Sequence, residues 1–236
     1  AAVRKSLAEA ALVEVLERSP DEQEPPCPHA GRCGGCSWQS LAYGRQLAWK
    51  ERIVHDALER VGKVACPPML PILPSPSEWG YRNKMEFAFG VSGDGGKALG
   101  LRERGSRNIV EVTGCLLQTP LTMRVLEAVR MLSNGAFHDL DGRFLVVREP
   151  NAGGCFVELI VGAGGSLEAG ERFAEALRAE TPEVTGFALS ERLAPSDVAY
   201  GERALYADGR LEERIGDVRL QMGHNAFFQV NTPAAE

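Results

Sequence analysis

The chain has 236 residues, of which 44% are hydrophobic and 25% charged, and its formal net charge is −6. It can bury one sizeable core or two modest ones, and no apolar run reaches the ~20 residues needed to cross a bilayer. The negative balance excludes nucleic-acid binding by bulk attraction, so any such binding must come from local basic groups.

Residues 19–26 are acidic and proline-rich and form a linker. The run CPHAGRCGGC follows, placing Cys27, Cys33 and Cys36 at C-x5-C-x2-C spacing. From about Ser40, Tyr43, Leu47, Val54, Leu58 and Val61 mark the stripe of an amphipathic helix that Gly62 ends. Residues 67–76 hold five prolines and read as a second linker.

Beyond that linker Met85, Phe87 and Phe89 alternate with Lys84, Glu86 and Ala88 in a half-buried strand, and Leu99 and Leu101 lie on its return strand. A third strand, 109–112, leads to Cys115. Thr119-Pro120 is a helix start, with a stripe of Leu121, Val125, Val129 and Leu132 before Gly135. Strands are expected over 143–147, 156–161, 185–189, 203–206, 211–215 and 218–222, with a helix over 167–180 closed by Pro182. Hairpins dominate, which predicts an α+β fold: a cysteine loop and helix packed on a central domain of mainly antiparallel sheet. The expected divisions are 1–26, 27–66, 77–222 and 223–236.

Three thiols inside a Gly- and Pro-rich loop have no helix or strand face to pack from. With no secretory signal segment, a disulfide framework is also disfavoured. Thiolates with Gly34-Gly35 beside them are what a structural zinc or an iron-sulfur site requires, and spacing alone suits either. Cys66 and Cys155 lack partners at ligand spacing and read as structural thiols. His29, His55, His138 and His224 form no metal set, and Gly162-Ala163-Gly164-Gly165 lacks the lysine of a phosphate loop, so it reads as a turn. Arg82, Lys84, Lys97, Arg102, Arg104 and Arg107 are expected to meet on one ribbon able to grip a phosphate backbone, against the plainer reading of a solvated hairpin.

The pattern C-G-G-C-x-x-Q-x-L-x-Y-x-x-Q-L-x-x-K, carried by Cys33, Cys36, Gln39, Leu41, Tyr43, Gln46, Leu47 and Lys50, resembles the RNA (uracil-5-)-methyltransferases of the ribosomal type. Tyr81-Arg82-Asn83-Lys84, Gly100-Leu101-Arg102, the run into Cys115, and Phe227-Phe228-Gln229-Val230-Asn231 continue the resemblance in family order. It implies a [4Fe-4S] cluster on Cys27, Cys33, Cys36 and Cys115, held for structure and RNA orientation; the helix after the loop would bring Gln39, Gln46 and Lys50 to orient the loop or cap sulfur charge, against the plainer reading of a polar helix face. Gln229 would contact S-adenosylmethionine, and Phe227 would pack on the donor or target base. Residues 9–19 resemble the last strand of an RNA-binding barrel that precedes the cluster. The product would be 5-methyluridine in 23S ribosomal RNA, made in the cytoplasm with no obligate protein partner. By the same resemblance the catalytic cysteine, general base and donor domain lie outside residues 1–236, so this is the middle of an enzyme. The alternative is a stand-alone iron-sulfur or zinc module that binds RNA without catalysis. Radical chemistry fits poorly, since its usual loop is C-x3-C-x2-C.

Overall fold

In the computed structural model, which describes residues 2–4, 7–10, 12–162 and 165–236, contacts divide the chain into two units. One comprises Ala1–Pro26 with Trp38–Ile72, the other Cys27–Ser37 with Leu73–Glu236. The boundary after Ile72 falls inside the second linker, and the cysteine loop groups with the sheet while the helix that follows it in sequence does not.

In the first unit, β1 (Ala2–Arg4) pairs antiparallel with β2 (Leu7–Glu9), and α1 (Tyr43–Asp56) continues as a π-helical turn, Ala57–Val61. Part of the barrel-strand resemblance, Ala11, lies outside the described residues. The first linker is less irregular than its prolines suggest: Glu22 bridges Leu41, and Gln23 N–H donates to Ser40 O at 2.8 Å. Gln46 secures the start of α1, its side chain donating to Trp38 O (3.1 Å) and Leu41 O (2.8 Å). The predicted helix is therefore present, but its stripe is not buried: no residue of α1 is, and Val54 and Val61 are exposed.

The second unit holds a seven-stranded sheet in the order β5-β4-β3-β6-β7-β8-β9. Its strands are β3 (Lys84–Val91), β4 (Lys97–Arg102), β5 (Ile109–Val110), β6 (Gly142–Arg148), β7 (Cys155–Val161), β8 (Val184–Glu191) and β9 (Arg203–Asp208). Between β5 and β6 lies α2 (Pro120–Asn134), and between β7 and β8 lies α3 (Leu167–Glu180). The sheet is mainly antiparallel, as expected; β7 and β8 run parallel because α3 is their crossover. Thr119 and Ser166 cap α2 and α3, each accepting the backbone N–H three residues on. Of the Gly162 to Gly165 turn ahead of α3, Ala163 and Gly164 lie outside the described residues.

Strand alternation sorts the sheet into two faces. One packs Met85, Phe87, Leu145, Val147, Val157, Leu159 and Phe187 against Val125, Val129, Phe173 and Leu177 of the two helices. Each such large side chain contributes roughly 1.5–3 kcal/mol of burial free energy. The other face has a smaller apolar cluster around Phe144, Val146 and Ile160, and beside it the buried polar residues Arg148, Glu158 and Ser190. β10 (Leu211–Ile215) and β11 (Val218–Met222) form a separate antiparallel hairpin, followed by α4 (Thr232–Ala235).

Candidate four-thiol site and docked C-terminal segment

The cysteine loop is held to the sheet by backbone pairing. Cys33 forms an antiparallel bridge with Glu103, just past β4; Gly34 N–H donates to Arg102 O (2.9 Å) and Arg104 N–H to Arg32 O (2.9 Å). Close approach explains Gly34, where a Cβ would lie 3.1 Å from Arg102 O. The Arg104 guanidinium donates to Cys36 O at 2.7 Å, so its charge faces the loop. His29 accepts the Thr113 N–H on Nε2 at 3.1 Å, tying the loop to the turn that carries Cys115.

These ties bring Cys27, Cys33, Cys36 and Cys115 together closely enough for their charges to interact. Burial raises the pKa of Cys33; the Gly35 N–H donated to its sulfur (3.4 Å) and Arg104 oppose this, while Cys36 and Cys27 add to it. Burial likewise raises Cys115, a bond from the Leu117 backbone lowers it, and Cys36, Cys27 and Cys33 push it further up. All six cysteines are free thiols. Among the described residues, no group of three or more His, Cys, Asp or Glu side chains is set to hold a metal ion. The donor chemistry nevertheless suits a soft centre: four neighbouring thiols, N–H groups aimed at sulfur, and a cation to offset thiolate charge. Cys155 is fully buried in the core, and its thiol is pushed up to about 12, mainly by burial, which keeps it inert.

Among the basic groups Lys97 stands apart, while Arg102 and Arg107 share the Asp197 carboxylate and Arg102 and Arg104 line one cavity. Pairing sets Lys97 opposite Val91 at the hairpin end, with the length of β4 between it and Arg102. Arg102 is engaged by Asp197 at 2.8 Å, with Arg107 3.9 Å from the same carboxylate, and Lys84 pairs with Glu86 at 2.5 Å. Beside the cysteine loop, Gly34, Ser37, Arg102, Arg104, Ser106 and Asp197 help line an open cavity of about 590 Å³.

The second assembly is one that sequence reasoning missed, although its parts were in view. The segment 223–231 has no strand pairing, and side-chain contacts together with one backbone hydrogen bond fix it. Arg148 donates to Ala226 O (2.7 Å), His224 lies 3.7 Å from Glu158, and Asn225 donates to Gly201 O (2.8 Å). Asn83, from the Tyr81-Arg82-Asn83-Lys84 run, donates its side-chain amide to Gln229 O (2.9 Å) and its backbone N–H to Val230 O (2.9 Å). Two motifs 146 residues apart therefore meet. The side chains of Gln229 and Phe227 stay exposed, Phe227 at 83%. Asn83 in a charged run leading into a strand was the available signal; Arg148 and Glu158 gave none, since pairing decides which strand residues face each other.

No protein-family model matches the chain. Curated relatives do. A protein of Nitratidesulfovibrio vulgaris named "uncharacterized RNA methyltransferase" is 46% identical over 246 residues, covering 99% of this chain and 53% of that protein. Proteins with the same description from Synechocystis (31% identical over 244 residues, 99% and 53%) and Caldanaerobacter subterraneus (33% over 249 residues, 99% and 54%) match along the same span. This chain is a relative of proteins named RNA methyltransferases. It spans about half the length of the curated relatives it matches. Among the described residues no helix is long and apolar enough to cross a membrane.

Proposed function

We infer that this chain is part of an S-adenosylmethionine-dependent enzyme that forms 5-methyluridine in 23S ribosomal RNA in the cytoplasm, and that it binds a [4Fe-4S] cluster through Cys27, Cys33, Cys36 and Cys115. This reading is supported by the loop thiols and Cys115 lying close enough for their charges to interact, alongside relatives named RNA methyltransferases. Bound there, a cluster would supply a covalent cross-link between the loop and the β5–α2 turn.

Uracil C5 is a poor nucleophile; thiolate addition at C6 gives it enolate character, and a base afterwards removes the C5 proton. By the resemblance both groups lie outside residues 1–236, so this chain binds and positions. Arg104, facing the cysteine loop, and exposed Lys97 and Arg107 are the cations available to RNA phosphates. Gln229, exposed on a backbone pinned to Asn83, supports a contact to the methyl donor.

The test is mass spectrometry of ribosomal and transfer RNA incubated with S-adenosylmethionine and the longer protein that contains this chain. 5-Methyluridine at one ribosomal position is the expected product. Its absence from every RNA tried overturns the reading. Residues 1–236 alone are expected to bind an RNA stem-loop in a salt-sensitive way and to methylate nothing.

A further inference from the structure

The Asn83 side-chain amide sits among more partners than a surface asparagine would meet. Its two N–H bonds are shared among Gln229 O (2.9 Å), Thr232 Oγ1 (2.8 Å) and Glu213 Oε2 (3.3 Å). Its backbone carbonyl accepts the Glu149 N–H at 2.8 Å, which fixes Asn83 itself just past the end of β6. Glu213, on β10, is 1% exposed, and its other oxygen accepts the N–H groups of Asn151 (2.6 Å) and Arg214 (3.0 Å). Thr232, also buried, completes the triangle at 3.5 Å from Glu213. Among the described residues no cation pairs with the carboxylate, so neutral donors hold it, and each must stay in place for the burial to be tolerated.

An apolar cluster would have been a simpler way to attach a segment. A buried polar hub accepts one register only, since a slip by one residue strands its donors and acceptors. Such selectivity matters for 223–231, which has no ladder of its own to set register. The hub fixes the Gln229 carbonyl directly and Val230 and Thr232 on its far side, leaving the Gln229 side chain one backbone direction in which to project.

We propose that Asn83 and Glu213 are positioning residues for the methyl donor: without touching it, they set the register of the Gln229 segment and so the approach of the Gln229 amide. The assignment rests on the reading of Gln229 as a donor contact. Loss of the hub is expected to weaken donor use and leave RNA affinity alone.

The experiment uses the longer protein that contains this chain, with donor affinity read by calorimetry on S-adenosylmethionine and RNA affinity read separately. Asn83→Ala should weaken donor binding about tenfold, the scale of one lost buried hydrogen bond, with RNA affinity within about twofold of wild type. A second variant separates positioning from stability: in Asn83→Asp with Glu213→Gln, the new amide donates to the new carboxylate, so the pair stays bonded, yet Gln229 O loses its donor. That protein should recover most of its thermal stability and still bind the donor poorly. Unchanged donor affinity in either folded variant overturns the proposal. A wild-type protein that binds RNA but no S-adenosylmethionine overturns the underlying reading of Gln229, and the proposal with it.

Discussion

His29 accepts a hydrogen bond from the Thr113 backbone N–H, and through it the loop bearing three cysteines is fastened to the turn bearing the fourth. The imidazole acts here as a tie between two chain segments 84 residues apart, with its Nε2 already committed. Replacing it with Ala should leave the sheet intact and cost the loop about 1 kcal/mol, the typical worth of one hydrogen bond. The measurement is the rate at which protein reconstituted with the proposed cluster loses the cluster's absorption to a chelator: several-fold faster for His29→Ala. An equal rate would show that the tie does not hold the loop.

Cys115 and Cys155 offer a paired comparison, both on the second unit and both raised in pKa by burial. Cys115→Ala should abolish iron binding and lower the melting temperature of the metal-loaded protein, since metal binding contributes folding free energy. Cys155→Ala should keep full iron content and lose about 1 kcal/mol or more by leaving a cavity in the core. Full iron in Cys115→Ala would remove Cys115 from the ligand set.

Asp197 would restrain the proposed RNA binding, because it engages Arg102 and lies near Arg107. The pair is exposed and worth little to stability, under ~1 kcal/mol. Asp197→Asn should therefore leave the melting temperature nearly unchanged while tightening binding to an RNA stem-loop and steepening its salt dependence by up to about two phosphate contacts. A weaker complex would place this face away from RNA.

Acid sensitivity should centre on Asp208. Hydrogen bonds from Arg178, then Tyr206 and the Phe187 N–H, hold its carboxyl below the usual 3.8 against the opposing effect of burial. A depressed carboxylate adds stability that is fully present above 3.8 and is lost as pH falls through its folded value. Urea midpoints compared between about pH 7 and pH 3 should fall for wild type and change less for Asp208→Asn, which starts lower. Parallel curves would show that another carboxylate dominates.

Local chemistry was legible in the sequence wherever one segment sufficed. The Thr119 cap, the Pro120 start and the apolar stripe of α2 lie within one helix, and Gly216-Asp217 announces the β10–β11 hairpin. The parallel pairing of β7 and β8 was not legible, because nothing local distinguishes a crossover helix from one that returns to an antiparallel neighbour. The stripe of α1 has helical period, yet period alone does not supply a surface to bury it. Basic residues told the same story: composition grouped Lys97 with Arg102, and strand register put them at opposite ends of β4. The four cysteines could be grouped from spacing and resemblance, whereas the His29, Asn83 and Glu213 ties depend on long-range approach that no local pattern encodes.

The most direct test of the account is metal and sulfide analysis of protein prepared without oxygen. If the four thiols bind one cubane cluster, the protein is brown and carries about four irons and four sulfides per chain, all lost in Cys115→Ala. Stoichiometric zinc without sulfide, or no bound metal under those conditions, would contradict it.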